Sequence, residues 1–249
     1  MEIVTSRLLP VPHAFTTRAG GVSEGAFSSL NLGFSTGDEP SRVEENLRRV
    51  AQRLEVPAHR LFTLSQLHGD VVLEAREEEG QGLAPILGEA DAAWTDLAGS
   101  AVGVKTADCV PILLASEELK AVAAVHSGWR GTDLEIVRRA VQAMVREGAR
   151  AESITAAIGP CIQACCYEVS PELAERFRAN FGPEAVLAQG ASSHLDLAYS
   201  VGQSLLRAGV AADRIDTLPE CTFCDGRFFS HRRDRGNTGR QLSVAVCRF

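Results

Sequence analysis

The chain has 249 residues, of which 45% are hydrophobic and 23% are charged, the usual composition of a globular protein with a hydrophobic core. Its 25 lysines and arginines against 32 aspartates and glutamates give a formal net charge of −7, which argues against a surface that binds nucleic acid or an anionic membrane. No apolar stretch approaches the roughly 20 residues of a membrane span, and the first residues lack the pattern of a secretory signal, so we expect a soluble cytoplasmic protein.

Four segments combine apolar residues at helical spacing with residues that favour helix ends. Capping-box patterns at residues 41–44 and 132–135 predict the starts of the first two helices. Ser170 followed by Pro171 predicts the start of the third, and the fourth is expected over about residues 196–208. The apolar residues that recur at spacings of three or four are Val43, Leu47, Val50 and Leu54; Leu134, Val137, Val141 and Met144; Leu173, Ala174 and Phe177; and Leu197, Val201 and Leu205.

Short apolar runs between turn residues predict six β-strands, at residues 71–73, 101–104, 112–114, 121–125, 154–158 and 242–246. The strands are interleaved with the helices but not as a regular strand–helix repeat, which favours a layered α+β (mixed α/β) fold over a doubly wound one. Neither a GxGxxG fingerprint nor a P-loop is present. The irregular stretch 77–89 is too short to be a linker, so residues 1–249 are expected to form a single domain.

Three histidine or cysteine residues lie next to the ends of predicted strands. His68 precedes one strand, whereas Cys109 and His126 each follow one. Loops at strand ends commonly carry functional residues. Two imidazoles and one thiolate suit Zn²⁺, which in catalytic sites has three protein ligands and one open position. The separations of 109 − 68 = 41 and 126 − 109 = 17 residues match no local zinc motif, so spacing alone does not bring the three together.

Seven blocks of the sequence resemble, in the same order, the laccase-domain family. They are residues 15–23, 66–69, 90–92, 106–111, 126–131, 158–162 and 229–234, and together they span nearly the whole chain. The most specific are Thr106-Ala107-Asp108-Cys109 and His126-Ser127-Gly128-Trp129-Arg130-Gly131. This family, long labelled polyphenol oxidase, is understood as zinc-dependent purine nucleoside phosphorylases with adenosine deaminase activity. The resemblance implies an α-β-β-α sandwich of two sheets covered by helices.

The same resemblance implies zinc as the cofactor, with His68, Cys109 and His126 as its ligands and as catalytic residues. Copper could occupy this site adventitiously, because affinity for Cu²⁺ normally exceeds that for Zn²⁺. The implied partners are phosphate and the nucleosides adenosine, inosine and methylthioadenosine, which a transferase reaction converts to free base and ribose 1-phosphate. Adenosine deamination would be a hydrolase activity. Neither nucleic acid nor a membrane is an expected partner, and we expect a monomer or weak oligomer.

Other residues of these blocks are candidates for catalysis and substrate binding. Asp91 and Asp108 could orient a ligand histidine or act on substrate protons. Arg18 lies in a loop with two glycines and Arg130 lies just before a predicted helix, so either could hold phosphate, although Arg130 could equally tie down its loop through a salt bridge. Trp129 could stack on a purine or pack in the core. The arginine-rich stretch 232–240 is typical of a solvated face.

The supply of histidines and cysteines limits the metal chemistry. The six histidines, at positions 13, 59, 68, 126, 194 and 231, include no HxH pair and are too few for the copper cluster of a true laccase. Cys221 and Cys224 form a CxxC without a second pair, so we expect no structural zinc site there, although His231 could contribute a ligand. Three further cysteines that lie close together in the sequence are expected to be small buried hydrophobes: Cys161, Cys165 and Cys166.

Two other functions use the same residues. One is a metal-independent cysteine hydrolase with Cys109 as nucleophile and His68 or His126 as base. The other is a non-catalytic metal-binding partner protein. The cluster of polar residues at strand ends argues against a mere scaffold, and metal analysis separates the hydrolase from a zinc enzyme.

Overall fold

The computed structural model describes residues 1–76 and 82–249. Within these residues the α-helices are α1 (Pro40–Arg53), α2 (Trp129–Asp133), α3 (Ile136–Arg146), α4 (Pro171–Phe181) and α5 (Leu197–Arg207). The β-strands are β1 (Ile3–Val4), β2 (His13–Thr16), β3 (Leu61–Ser65), β4 (Val72–Glu74), β5 (Ile86–Glu89), β6 (Ala92–Thr95), β7 (Ala101–Thr106), β8 (Val110–Ser116), β9 (Ala121–Ser127), β10 (Thr155–Ile158), β11 (Glu168–Val169), β12 (Val186–Gln189), β13 (Ser192–Leu195), β14 (Ile215–Thr217) and β15 (Gln241–Val246). Of the irregular stretch 77–89, residues 77–81 lie outside this described part. None of the described helices is long and apolar enough to cross a membrane.

The strands form two six-stranded sheets and one three-stranded sheet. The first sheet has the order β1-β2-β15-β7-β3-β5, and the second has the order β14-β10-β8-β9-β6-β4. A small separate sheet has the order β11-β13-β12. The longest pairing is the antiparallel hairpin of β8 and β9, which runs in register from Val110 opposite Ser127 to Ser116 opposite Ala121.

The two six-stranded sheets pack face to face, and helices cover both outer faces. Alternation along β15 shows this layering, because Val244 and Val246 pack against α1 whereas Ala245 faces the second sheet. Phe62 and Leu113 meet in the apolar layer between the sheets. Helices α3, α4 and α5 cover the other face of the second sheet. This α-β-β-α sandwich confirms the predicted fold class.

Three strands of the first sheet are each followed along the chain by a strand of the second sheet. β3 leads to β4, β5 to β6 and β7 to β8. β3 is parallel to β5 and β7, while β4 is parallel to β6, and β6 and β8 are both antiparallel to β9. All three crossings therefore lie at one end of the sandwich, which we call the crossover end. The crossings consist of residues 66–71, 90–91 and 107–109 and carry His68, Asp91, Asp108 and Cys109.

Two predicted helix starts are confirmed by side-chain caps. The hydroxyl of Ser170 accepts the N–H of Leu173 at 3.3 Å, and Pro171 is the first residue of α4. The carboxylate of Asp196 accepts the N–H of Tyr199 at 2.8 Å at the start of α5. Both bonds satisfy donors that the helix itself leaves unpaired.

The two predicted capping boxes are wrong. Helix α1 begins one residue earlier than predicted, with Pro40 in its first turn, and the Ser41 hydroxyl donates to the Glu39 side chain instead of capping. Proline suits this position because its missing N–H would have no partner there. Thr132 lies inside the short helix α2, where its hydroxyl donates to the Gly128 carbonyl at 3.0 Å, and α3 begins only after Glu135. The side chain predicted to face the core at that point, Leu134, is 45% exposed.

All six predicted strands are present, with ends that differ by one or two residues, as β4, β7, β8, β9, β10 and β15. Of the nine others, β2, β3 and β6 are fully or almost fully buried. Such strands lack the alternation of apolar and polar residues that identifies a half-exposed strand, and each is only four or five residues long.

Candidate active site

A cavity of about 620 Å³ opens at the crossover end. It contains the side chains of all three predicted metal ligands, His68, Cys109 and His126. His126 is the second-last residue of β9, whereas the other two lie in crossings between the sheets. The remaining wall is formed in part by cationic and aromatic side chains, namely Lys105, His231, Arg232, Arg240, Phe34 and Tyr167.

The donor atoms of His68, Cys109 and His126 lie within 4.8 Å of one another. The two imidazole rings are 4.8 Å apart at their centroids, with an angle of 31° between their planes. Tetrahedral zinc, with bonds of about 2.0–2.3 Å, separates its ligand atoms by about 3.3–3.8 Å. The three donors therefore suit a metal ion after a small closing movement, and their chemistry is that of a site with three protein ligands.

Asp91 holds both histidines in place. Its carboxylate is 1% exposed and accepts the backbone N–H groups of three successive residues, Leu67 at 3.2 Å, His68 at 2.9 Å and Gly69 at 2.6 Å. The same carboxylate lies 2.8 Å from Nδ1 of His126. Because Nδ1 is engaged, Nε2 of His126 is the nitrogen left for a metal, the usual arrangement of carboxylate, histidine and metal.

This arrangement also accounts for the pKa shifts of the two histidines and of Asp91. Burial lowers the pKa of His126, but the neighbouring Cys109 and Asp91 outweigh burial and raise the pKa to about 9. Burial and the charge of His126 together lower the pKa of His68. Burial raises the pKa of Asp91, yet the hydrogen bonds from His126 and Gly69 reverse the shift, and the net pKa lies below its ordinary value. Asp91 is thus a permanent anion under these two rings at neutral pH.

Gly128 leaves the space that the thiol needs. A Cβ atom built at this position would lie 3.1 Å from Sγ of Cys109 and 4.0 Å from Nδ1 of His68. Its backbone is extended, with φ −78°, so close approach and not conformational freedom explains the glycine. Any larger residue in the block that follows β9 would press on two of the three donors.

Asp108 is placed differently from Asp91. One of its carboxylate oxygens accepts the Thr222 hydroxyl at 2.7 Å, and the other accepts the backbone N–H of Arg232 at 2.7 Å. Among the described residues it bonds to no histidine, so of the two predicted carboxylates only Asp91 orients a ligand. The φ of +88° at Asp108 is unusual for a residue with a side chain, and these two bonds hold it there.

The structure brings a different set of cations to the cavity than the sequence predicts. Burial lowers the pKa of Lys105 to about 8, and its amine has no ion pair with any residue that the structure describes. Arg240 is also in the wall, where its guanidinium donates to the carbonyls of Thr238 and Gly239. Lys105 could have been noticed as the one charged residue of an otherwise apolar strand, β7.

Neither of the arginines predicted to bind phosphate is part of the cavity wall. The Arg18 guanidinium lies over the Phe229 ring at 4.7 Å and donates to the Ser28 carbonyl at 2.6 Å. Arg130 is exposed and lies over the Trp129 ring at 5.1 Å. Both side chains thus have partners outside the cavity wall, and their predicted role in phosphate binding stays a prediction. Trp129 is half-buried and packs against the helix side of the second sheet, which favours the core interpretation.

The arginine-rich stretch is only in part the solvated face that its composition predicts, because Arg232 and Arg235 are exposed whereas Arg233 and Arg240 are half-buried. Arg232 and Arg240 contribute to the cavity wall. The Arg233 guanidinium donates to the carbonyls of Thr222, Phe223 and Phe228 and pairs with the carboxylate beside it. Arg233 therefore joins the segment around Thr222 to the C-terminal loop that forms one side of the cavity.

Four cysteines form a second group of donors, which the sequence did not predict. Their sulfur atoms all lie within 4.8 Å of one another. We call this group, Cys165, Cys166, Cys221 and Cys224, the four-cysteine cluster. The expectation that the CxxC would lack partners is wrong, and so is the expectation that Cys165 and Cys166 are buried, because the first is exposed and the second half-buried. Cys161 is buried as predicted, and His231 is not part of the group.

Comparisons with known proteins agree with this fold and site. A family model described as multi-copper polyphenol oxidoreductase laccase matches residues 12–248. A purine nucleoside phosphorylase of Deinococcus radiodurans is 42% identical over 236 residues, covering 95% of this chain and 89% of the relative. Purine nucleoside phosphorylase YlmD of Geobacillus stearothermophilus is 38% identical over 238 residues, covering 92% and 87%.

Solved structures show the same architecture. The crystal structure of YlmD from Geobacillus stearothermophilus superposes with a TM-score of 0.89 at 35% identity, over 95% of this chain and 92% of that one. The hypothetical protein YfiH of Bacillus licheniformis superposes with a TM-score of 0.88 at 32% identity, over 94% and 92%. The layered sandwich described above is therefore shared along nearly the full length of these chains.

Proposed function

We propose that the chain, which belongs to the family described as multi-copper polyphenol oxidoreductase laccase, is a zinc-dependent purine nucleoside phosphorylase. Several of its relatives are named purine nucleoside phosphorylases. Adenosine, inosine or methylthioadenosine would react with phosphate to give the free base and a ribose 1-phosphate. The observation that carries the proposal is the cavity itself, which combines a three-donor metal site with buried cations and aromatic side chains.

The donor set fits zinc, with His68, Cys109 and His126 as the ligands and Asp91 as the residue that orients them. A bound zinc ion would supply a Lewis acid that stabilises negative charge on an oxygen and lowers the pKa of water. The chain's own contribution is to fix the ligand geometry, since Asp91 and Gly128 set the ring orientation and the space around the thiol.

Phosphorolysis needs an anion site beside a site for the purine. Lys105 and Arg240 are the cations in the wall that support phosphate binding, because burial strengthens their attraction for an anion and Lys105 has no carboxylate partner among the described residues. Tyr167 and Phe34 offer rings against which a base can stack. In the reaction a phosphate oxygen bonds to the anomeric carbon of the ribose while the bond to the base nitrogen breaks, and the departing base takes up a proton.

Deamination of adenosine is proposed as a second activity of the same cavity. In this reaction water replaces the amino group at C6 of the purine and ammonia leaves. The supporting observation is that the part of the chain that the structure describes places three protein donors around the candidate metal position, which leaves room for a further ligand. Deamination needs no phosphate. Comparing its rate with that of phosphorolysis therefore distinguishes the role of the metal donors from the role of Lys105 and Arg240.

Multi-copper oxidation, which the family description suggests, is not supported by the donors present. His13 bonds to the Ser6 N–H and the Val11 carbonyl, and His194 lies 2.8 Å from the Ala164 carbonyl. Among the described residues, only two histidines belong to a group that could hold a metal ion. A laccase needs a cluster of several histidine-bound coppers, and this chain offers one mixed site.

The proposal is tested by assaying purified protein with adenosine, inosine and phosphate while its metal content is measured. We expect free base and ribose 1-phosphate from the wild type, and loss of both product and one metal equivalent in Cys109→Ala. Cys247→Ala is the matched control, because its sulfur is buried outside both cysteine-containing groups. Full activity in metal-free protein would instead support the cysteine hydrolase, and metal binding without turnover would support a non-catalytic protein.

A further inference from the structure

The four-cysteine cluster lies where two separate segments of the chain meet. Cys165 and Cys166 are in the loop between β10 and β11, and Cys221 and Cys224 are in the turn after β14. An isolated parallel bridge between Cys161 and Cys221 aligns the two segments. The N–H of Thr222 donates to the Cys161 carbonyl at 3.0 Å and extends this pairing. The four thiols are thus brought together by the fold and not by a chance contact of flexible side chains.

The spacing of the sulfur atoms is that of ligands around one ion. Sγ of Cys224 is 3.8 Å from that of Cys165 and 3.2 Å from that of Cys166, and no pair in the cluster exceeds 4.8 Å. A tetrahedral ion with four zinc–sulfur bonds of about 2.3 Å places its sulfur atoms about 3.8 Å apart. A disulfide would need a pair of sulfur atoms at about 2.05 Å, and both distances from Cys224 are well beyond this.

Backbone donors point at the sulfur that begins the CxxC. The N–H of Gln163 lies 3.4 Å from Sγ of Cys221. The backbone N–H groups of Phe223 and Cys224 also point at this sulfur. Donors of this kind stabilise a thiolate, which is the form of cysteine that binds metals.

A nearby cation would balance part of the charge of a metal bound by thiolates. Four thiolates around a divalent ion carry a net charge of −2. The Arg233 guanidinium donates to the carbonyls of Thr222 and Phe223, the two residues inside the CxxC turn. Arg232 lies over the ring of Tyr167, the residue that follows Cys166. Arg233 also pairs with the carboxylate of Asp234, so Arg232 is the cation beside the cluster whose charge makes a dianionic centre less costly.

We propose that the four-cysteine cluster binds one Zn²⁺ ion as a closed structural site, separate from the donors at His68, Cys109 and His126. Each thiol that coordinates gives up its proton to solvent, with no change in oxidation state. The ion would fasten the loop before β11 to the turn after β14. That matters for the cavity because Tyr167 follows Cys166 directly and Thr222, inside the CxxC, bonds to Asp108. The site would position the cavity wall without contributing a ligand to the cavity.

The first experiment uses Cys109→Ala, in which the other candidate site has lost its thiolate. Metal content, counted per chain after gel filtration, should be two equivalents of zinc in the wild type and one in this variant. X-ray absorption at the zinc edge of Cys109→Ala should show a single sulfur shell at about 2.3 Å and no nitrogen. Absence of metal from the variant, a shell with nitrogen ligands, or iron in place of zinc would each overturn the proposal.

The second experiment removes one ligand of the cluster. Cys224 is exposed, so Cys224→Ser leaves no cavity in the core and is expected to fold. It should retain one zinc equivalent, and the double variant with Cys109→Ala should retain none, while the control Cys247→Ala retains two. The melting temperature of the double variant should lie below that of Cys109→Ala and, unlike that of Cys109→Ala, should not respond to a strong chelator.

A count of free thiols tests whether the cluster contains disulfides instead of a metal ion. Wild-type protein denatured with chelator but without reductant should show seven free thiols, the full number in the sequence. Two or four fewer would reveal disulfides in the cluster and would contradict the proposal. Because Cys224→Ser keeps the donors at His68, Cys109 and His126, its metal content is interpretable whether or not the protein cleaves nucleosides.

Discussion

Oδ1 of Asp91 lies 2.8 Å from Nδ1 of His126, and the same oxygen accepts the backbone N–H of His68 at 2.9 Å. A single carboxylate atom therefore fixes the ring of one candidate ligand and the loop of the other. The loop needs this support because His68 adopts a φ of +61°, which few residues other than glycine adopt. The geometry of the candidate metal site thus depends on a residue that is not one of its three donors.

The substitution Asp91→Asn should weaken metal binding about 10- to 100-fold, because an amide nitrogen would replace an oxygen that accepts N–H groups. We expect the free energy of unfolding to fall by about 1–3 kcal/mol as well, since a buried donor loses its partner. Competition with a chromogenic chelator measures the affinity. Asp96→Asn, at an exposed position, is the control, and equal affinities in the two variants would show that Asp91 does not orient the ligands.

The substitution Gly128→Ala should lower metal affinity without unfolding the protein. The added methyl group would lie 3.1 Å from the Cys109 sulfur, a distance at which the thiol must move. Gly226→Ala is the matched control because a Cβ there meets nothing within 4 Å. The two variants are compared by metal content after dialysis against a weak chelator. Retention of metal by Gly128→Ala at the control's level would mean that the loop can shift to accommodate the methyl group.

Phosphate use should depend on pH through Lys105. Its pKa of about 8 means that the amine carries its charge below pH 8 and loses it above, so the KM for phosphate should rise as pH increases through 8. The other titratable or charged groups of the wall are His68, Asp108, Cys109, His126, His231, Arg232 and Arg240. In Lys105→Gln the KM should be higher at pH 7 and should lose this rise, while Arg18→Lys and Arg130→Lys show whether those arginines contribute. An unchanged KM in Lys105→Gln would remove this residue from the phosphate site.

The same lysine should reduce stability. The folded chain releases the Lys105 proton near pH 8, whereas the unfolded chain holds it to about 10.5, so the unfolded state binds more protons between these values. Its contribution to stability therefore rises with pH across this window. At pH 7, Lys105→Met should be more stable than the wild type by about 1–3 kcal/mol, as measured by chemical denaturation. A loss of stability would show that the charged amine has a partner in solution.

Oxidation of phenols, if it occurs, should require added copper and should be slow. The cavity can hold one copper, whereas reduction of oxygen to water by four electrons needs several. Zinc should restore nucleoside cleavage to the stripped protein, and copper should restore it poorly because Cu²⁺ favours a tetragonal geometry. Released base and oxidised phenol are measured for the stripped, zinc-loaded and copper-loaded forms. Fast phenol oxidation by protein as purified would contradict this expectation.

The apolar faces of the helices and the short apolar runs between them predicted a layered α+β fold, and the resemblance to the laccase-domain family implied that the layers form an α-β-β-α sandwich. The sequence did not predict the pairing of Cys165 with the CxxC turn. The two segments are more than fifty residues apart, and the parallel contact between Cys161 and Cys221 aligns them. Such a contact leaves no periodic signal in the sequence.

The sequence predicted the candidate metal donors of the cavity but not its lysine. His68, Cys109 and His126 lie in short blocks that follow strands, so sequence blocks identify them. Lys105 belongs to the same cavity but lies within β7, where it interrupts an apolar run and is easily taken for a surface residue. Conversely, the capping box at Thr132 matched a local pattern, yet the threonine had a nearer partner in the Gly128 carbonyl.

The three crossings between the sheets determine where the chain tolerates rearrangement. Each of these crossings is only a few residues long and carries part of the candidate site. An inserted residue there would therefore displace a candidate ligand or the carboxylate that orients it. The turn between β8 and β9 lies at the opposite end of the sandwich, and Glu117 and Glu118 in it are exposed. A circular permutation that opens the chain between these two glutamates would therefore leave every donor on its original segment. The turn end of the sandwich can therefore change in loop length, whereas the crossover end must keep both its loop lengths and the side chains of the candidate site.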